Sequence, residues 1–164
     1  MQFSISPEQQ KQYVEANQPR VQEKTDEPVL AWSLFHRTGS YGALAASHVL
    51  PIAATVINLI GKKRAGGLPQ RFLLAVTPTK VRAYKFAQRR SGLRVGDELA
   101  VWDRAELRVT ATEAALTMRV TLESAADAER VVCDTGKGDY TDGFLQAIGA
   151  SPAVSTPAIG TAAA

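Results

Sequence analysis

Residues 72–86 read FLLAVTPTKVRAYKF, and the fold prediction rests on this segment. The apolar run Phe72–Val76 is followed by the turn-type sequence Thr77-Pro78-Thr79-Lys80 and by a second run, Val81–Phe86. Two short runs of β-forming residues joined by a proline-containing turn are typical of a β-hairpin. The segment therefore predicts two adjacent antiparallel strands.

Further strands are predicted on both sides of this hairpin. Apolar and polar residues alternate from Leu116 to Glu123, which predicts one buried and one solvent-facing side. The other predicted strands are Val29–Phe35, Leu99–Trp102, Leu107–Thr112 and Arg130–Cys133. A final helix has an apolar stripe of Phe144, Leu145 and Ile148, and Gly149 suits its C-cap. We expect an α+β, mainly β fold, in which a bent antiparallel barrel of about seven strands is plugged by the C-terminal helix.

The ends of the chain have a different composition from this β region. Ser6, Pro7 and Gln9 form a helix-start signature, and Pro19 is expected to end that helix near Asn17. We expect an N-terminal helix and polar linker over residues 1–27 and a β domain over 28–149. A helical insertion is expected at about 41–64, and a disordered Ala-rich tail over 150–164. The first residues lack the positive and apolar regions of a secretory signal, so a cytoplasmic location is expected.

Basic residues are concentrated in the middle of the chain. All 16 acidic residues lie outside Pro28–Gly96, which leaves this stretch eleven charges positive, the flanks eight negative and the net charge +3. Such segregation predicts an acidic partner, either anionic lipid, nucleic acid or an acidic protein face, unless the basic residues pair with acids of the same fold. The candidate residues for an anionic surface are Lys62, Lys63, Arg64, Arg71, Arg89, Arg90 and Arg94.

Residues 41–60 carry no formally charged side chain and are followed at once by Lys62-Lys63-Arg64. Three interpretations are open: a membrane-spanning helix with the β domain on the cytoplasmic side, an interfacial or partner-binding helix, and a helix that packs on the barrel or self-associates. Its apolar faces include Leu44, Val49, Leu50, Ile52, Val56, Ile57 and Ile60. An apolar helix next to basic residues combines two membrane-binding signals, which favours peripheral association with the inner face of the plasma membrane.

The hairpin FLLAVTPTKVRAYKF and the later segment LAVWDRAELRV, residues 99–109, resemble bacterial pleckstrin-homology-like and GRAM-like domains. The segment looks most like small uncharacterised actinobacterial proteins, and the likeness covers about Leu68 to Gly149. The resemblance implies a small β-barrel that binds lipid headgroups or proteins and is not an enzyme. In such folds the first hairpin connection, here the site of the uncharged run, commonly contacts membranes.

Signatures of catalysis or of cofactor binding are missing from the sequence. His36 and His48 lack metal-type partners nearby, and Cys133 sits in a strand pattern that indicates burial. Residues 134–139, DTGKGD, lack the upstream glycine and the hydroxyl residue of a phosphate-binding loop. We expect no cofactor and either an anionic lipid, a protein or a second copy of the chain as partner. Alternation of Arg82, Tyr84 and Phe86 is a weaker indication of nucleic-acid binding, which a core position of the two rings would explain equally well.

Overall fold

The computed structural model describes residues 6–37, 67–114, 117–126, 129–137 and 139–152. The predicted insertion at 41–64 lies outside these residues, together with Lys62, Lys63, Arg64 and every apolar-helix candidate from Leu44 to Ile60. Most of the predicted tail, from residue 153 onward, is also outside them.

Two helices and a β-sheet make up the described part of the chain. The helices are α1 (Pro7–Gln22) and α2 (Asp139–Ile148), and a 3-10 turn covers Arg104–Glu106. The strands are β1 (Ala31–Arg37), β2 (Arg71–Val76), β3 (Lys80–Arg89), β4 (Gly92–Asp103), β5 (Leu107–Glu113), β6 (Thr117–Ser124), β7 (Arg130–Gly136) and β8 (Ser151–Pro152).

The strands form one sheet in the order β4-β3-β2-β1-β7-β6-β5-β8. The first seven strands pair antiparallel, which confirms the predicted number and the mainly β, α+β class. The two-residue β8 adds a parallel pairing to β5 that the sequence did not predict, so residues 151 and 152 of the expected tail belong to the sheet. The pairing of β1 with β7 is short and involves only His36 and Arg37 of β1.

The main core lies on one side of the sheet and joins residues from all seven long strands. Phe35, Val81 and Trp102 from one half of the sheet share this cluster with Val109 and Leu122 from the other half. The apolar stripe of α2 (Phe144, Leu145 and Ile148) belongs to the same cluster, and Phe144 tilts against Phe35 with ring centroids 5.3 Å apart. Strands β4 and β5, which are far apart in the strand order, therefore contribute to the same core.

A second apolar cluster lies on the opposite face of β1 to β4, beneath α1. It contains Trp32 of β1, Leu73 of β2, Tyr84 of β3, Leu93 of β4 and Val21 of α1. Strand β2 is therefore covered on both faces, which explains why it reads as a continuous apolar run rather than as an alternation.

The N-terminal helix is longer and better anchored than the sequence predicted. Ser6 and Gln9 form the expected capping box, but Pro19 lies inside the helix, so the prediction that it ends the helix was wrong. The expected linker is also part of the fold: Val21 is fully buried, and the Gln22 side chain accepts from Val29 N and donates to Glu27 O. Contacts with the sheet offset the hydrogen bond that proline removes from the helix.

Candidate anion-binding site at the β3–β4 hairpin

The β3–β4 hairpin extends beyond the neighbouring strand β2. Strand β2 pairs with β3 only as far as Tyr84, whereas β3 and β4 continue to pair with each other to Arg89 and Gly92. Residues 87–91 at the tip are all exposed. The chain reverses between Arg89 and Gly92, and Gly92 adopts φ +110°, a conformation that favours glycine. The sheet thus presents a projecting hairpin whose tip carries Arg89 and Arg90.

Helix α1 holds the base of this tip through side chains bonded to the backbone of β4. Asn17 Oδ1 accepts from Leu93 N at 2.9 Å, and Arg20 Nη1 donates to Leu93 O at 2.8 Å. Arg20 Nη2 also donates to Ser91 O at 2.6 Å. Strand β4 lies at the end of the sheet, so these side chains take the place of a neighbouring strand at Leu93.

A cleft of about 570 Å³ lies between the C-terminal end of α1 and the hairpin. Four basic residues line it (Arg20, Lys24, Arg89 and Arg94), together with one acidic residue, Glu23. The volume falls within the usual range of small-ligand sites, roughly 300–1,000 Å³. Arg20 is fixed in place by its two carbonyl acceptors, so its positive charge is held at the wall of the cleft. The arrangement suits an anion such as a phosphate group.

The eleven basic residues of Pro28–Gly96 divide into groups with different surroundings. Three lie outside the described residues, and Arg37 is buried. Two pair with acids of the same fold: Lys80 with Asp103, and Arg82 with Glu98 and Asp26. Exposed residues that form no ion pair within the described ranges are Arg71, Lys85, Arg89, Arg90 and Arg94. Internal pairing therefore neutralises the base of the hairpin and leaves its tip positive.

Arg71 is separate from the basic cleft. It begins β2, donates to Gln88 Oε1 at 3.2 Å, and lies 5.2 Å from the centre of the Phe86 ring. It also opposes His36 across the β1–β2 pairing. Burial and the positive charge of Arg71 lower the pKa of His36, whereas the negative charge of Asp134 raises it by a smaller amount. Of the four candidates within the described residues, Arg89 and Arg94 line the cleft, Arg90 occupies the tip, and Arg71 lies elsewhere.

Two basic residues of the cleft were not predicted from the sequence. Arg20 and Lys24 fall in the segment expected to be a helix end and a linker, and they were counted with the acidic flank. Their spacing of four residues would place both on one side of a helix. That signal becomes informative only once the helix is known to continue past Pro19.

The strand face that suggested nucleic-acid binding is occupied by the fold. Tyr84 is buried, its hydroxyl donates to Lys24 O at 3.2 Å, and Arg82 donates to Glu98 at 2.8 Å. Burial, with a smaller contribution from Glu98, raises the pKa of Tyr84 to about 12. Tyr84 is therefore covered by the fold, and bases could not stack on its ring.

Nucleophilic and metal-ligating groups are sparse in the described residues. Cys133 is fully buried in β7, as the strand pattern predicted, and its Sγ donates to Val120 O at 3.6 Å. Burial raises the pKa of this thiol above its usual range, so it stays protonated. Within the described ranges, no group of three or more His, Cys, Asp or Glu side chains is arranged to hold a metal ion.

Comparison with known proteins adds no assignment: no protein-family model and no curated protein matches the chain. Of the helices in the described part of the chain, none is long and apolar enough to span a membrane. The function must be inferred from the cleft and from the unpaired charge of the hairpin tip.

Proposed function

We propose that this chain is a non-catalytic pleckstrin-homology-like or GRAM-like module that binds an anionic membrane surface or lipid headgroup. The observation that carries the proposal is the unpaired positive charge at the projecting tip. Arg89, Arg90 and Arg94 have no acidic partner among the described residues, although other basic residues of the same hairpin do. A cluster of unpaired arginines on a projection can approach a flat anionic surface without obstruction by the rest of the fold.

The strand order supports the architectural part of the proposal. Four strands, β1 to β4, form one half of the sheet, and β5 to β7 form the other. The helix α2 follows the last long strand and contributes three apolar side chains to the core between the halves. This arrangement is the one expected for a pleckstrin-homology-like barrel with a C-terminal plug.

The tip arginines are sufficient for measurable but reversible binding. Each Lys or Arg close to an anionic leaflet contributes about 1 kcal/mol, so three contribute about 3 kcal/mol, or more than 100-fold in partitioning. The proposal gives the segment Lys62-Lys63-Arg64 and the apolar run before it the role of a second anchor, on the evidence of the sequence alone.

The proposal is tested by flotation with vesicles of phosphatidylcholine alone or with phosphatidylserine. We compare the wild type with the triple variant R89Q/R90Q/R94Q. The control K11Q/R108Q/R130Q removes the same charge from residues outside the cleft. We expect the tip variant to lose binding to the anionic vesicles by about 100-fold or more and the control to lose little.

High salt should also weaken wild-type binding, because the Debye length falls from about 10 Å at 0.1 M to about 3 Å at 1 M. Equal loss in the two triple variants, or equal binding to neutral and anionic vesicles, would contradict the proposal. Changing Lys62, Lys63 and Arg64 to Glu in a separate variant tests the second anchor independently.

Protein assembly is the second candidate function, and the uncharged run of residues 41–60 is the observation that favours it. Within the described residues, the large apolar side chains that are exposed are Leu30 and Val101, at 52% and 40%. Two isolated side chains do not form an assembly surface, so this function depends on the uncharged run. Light scattering in dilute buffer separates the candidates, because a monodisperse monomer would argue against self-association.

A further inference from the structure

A second cavity, of about 350 Å³, lies against the N-terminal half of α1, whereas the basic cleft lies at the C-terminal end of this helix. Its walls are the N-terminal half of α1, the start of α2, and the part of β1 that is not paired with β7. Strand β1 pairs with β7 only at His36 and Arg37, so the first five residues of β1 are not paired with β7. The cavity lies beside this unpaired part of β1. It shares Val14 and Trp32 with a neighbouring cavity of about 290 Å³, lined also by Leu30 and Phe144.

The base of this cavity is apolar and its rim is polar. Trp32 is almost fully buried. The ring centroids of Tyr13 and Trp32 are 6.4 Å apart, and the angle between the two ring planes is 53°. Val14 and Leu34 complete the apolar part. The rim carries side-chain amides and hydroxyls, while Ser33 and Thr135 are already bonded to the sheet or to each other. A mainly apolar site with a few polar groups at one side is typical of pockets for amphipathic small molecules.

The rim carries an ion-paired lysine and has an arginine close by. Lys137 is the one charged residue that lines the cavity among the described residues, and it bonds Glu113 Oε1 at 2.6 Å. Arg71 lies close by, because it donates to the Gln88 side chain that forms part of the wall. Glu113 is largely exposed and is not part of the lining. An ammonium group has three N–H donors, so Lys137 can bond a second carboxylate while it keeps its bond to Glu113.

We propose that this cavity binds a single-chain carboxylate amphiphile, with its alkyl chain against Trp32 and Val14 and its carboxylate beside Lys137. A volume of about 350 Å³ lies at the lower end of the usual range of small-ligand sites, roughly 300–1,000 Å³, which suits a medium-chain fatty acid. This inference does not rest on the proposed membrane function, because none of the tip arginines lines the cavity.

The experiment is calorimetric titration of the full chain with decanoate below its micelle-forming range and, separately, with 1-decanol. Val14→Phe places a ring in the cavity and is expected to lower decanoate affinity by about tenfold or more. Lys137→Met is expected to weaken decanoate binding several-fold while leaving decanol binding unchanged. The variant K11Q/R108Q/R130Q, whose residues line neither the basic cleft nor this cavity, serves as the control and should bind decanoate as the wild type does.

Circular dichroism establishes that each variant is folded. Should Val14→Phe fail to fold, Gln10→Trp blocks the same cavity from its mouth. The proposal is overturned if the wild type shows no saturable decanoate binding, or if a folded cavity-blocking variant binds as well as the wild type. Equal effects of Lys137→Met on decanoate and decanol also overturn it, because the carboxylate would then lie elsewhere. The two proposals can fail separately. A wild type that binds decanoate but does not float with anionic vesicles contradicts only the proposed membrane function, and one that floats but does not bind decanoate contradicts only the cavity proposal.

Discussion

Asn17 connects α1 to the edge of the sheet, and the change Asn17→Ala tests whether this contact anchors the helix. Asn17 is only 4% exposed, and its Oδ1 accepts the Leu93 N–H at 2.9 Å. Its amide nitrogen donates to Tyr13 O, one turn back in the same helix, at 2.7 Å. Alanine would remove both bonds and leave the Leu93 N–H facing a space with no acceptor.

The expected magnitude is the difference between two effects. A buried N–H group without an acceptor costs about 1–3 kcal/mol. Alanine is the better helix former, and this recovers about 0.6 kcal/mol. The free energy of unfolding should therefore fall by about 0.5–2.5 kcal/mol. For a chain of 164 residues, the middle of that range corresponds to a decrease in Tm of roughly 3–6 °C.

Two measurements check this expectation. Urea denaturation should show a lower midpoint with an unchanged slope. Hydrogen exchange should show faster exchange of the Leu93 amide, since this amide loses its acceptor. Gln12→Ala, at an exposed position of the same helix, is the matched control. If the Leu93 amide exchanged at the wild-type rate in Asn17→Ala, and the stability equalled that of Gln12→Ala, the proposed anchoring role would be wrong.

Four further predictions concern the packing of the fold. Gly92→Ala should destabilise it by about 1–3 kcal/mol in urea denaturation, because φ is +110° and the new Cβ would lie 2.9 Å from Asn17 Oδ1. Gly136→Ala meets no atom within 4 Å and should change stability by less than about 0.5 kcal/mol. Cys133 should resist a thiol reagent in the native state and react on unfolding, since burial raises its pKa; reaction at equal rates would disprove this. His36 has a pKa below 6.5, mainly through burial, so the unfolded chain binds the proton more readily. Stability should fall as the pH drops below about 6.5, and less so in His36→Gln; identical pH dependence would refute it.

The strands were predictable because their signals are local. The hairpin of β2 and β3 has apolar runs on either side of a four-residue turn, and Thr77 N donates to Lys80 O at 2.9 Å in that turn. In β6 the period of two matches burial of Val120 and Leu122. Strand β4 was predicted only from Leu99, because its first half carries glycine and charge, and its apolar residues Leu93 and Val95 are buried by α1 rather than by the core.

The course of α1 was not predictable from local rules. Proline inside a helix costs about 3 kcal/mol, which justified placing the end before Pro19. The residues that offset this cost act over long sequence separations, since Arg20 bonds carbonyls of Ser91 and Leu93, more than 70 positions away. Pairing of Lys80 with Asp103 likewise depends on the register of β3 and β4, which sets these two residues opposite each other. Which residues line the cleft depends on such contacts between distant parts of the chain. Only two of its four basic residues, Arg89 and Arg94, were therefore predicted from the sequence.

Protection of the sheet edge and formation of the basic cleft depend on the same residues. An edge strand with free backbone groups is prone to pair with another chain, and α1 prevents this at Leu93 by satisfying both its N–H and its carbonyl. The second of those bonds comes from Arg20, whose charge also lies at the wall of the cleft. A change at Arg20 would therefore alter folding, edge protection and anion binding together. Arg89, Arg90 and Arg94 bear charge without supporting the fold through any ion pair in the described residues, so their substitution isolates the electrostatic contribution. A loss of vesicle binding in the tip variant, at unchanged stability, can then be ascribed to charge rather than to release of α1.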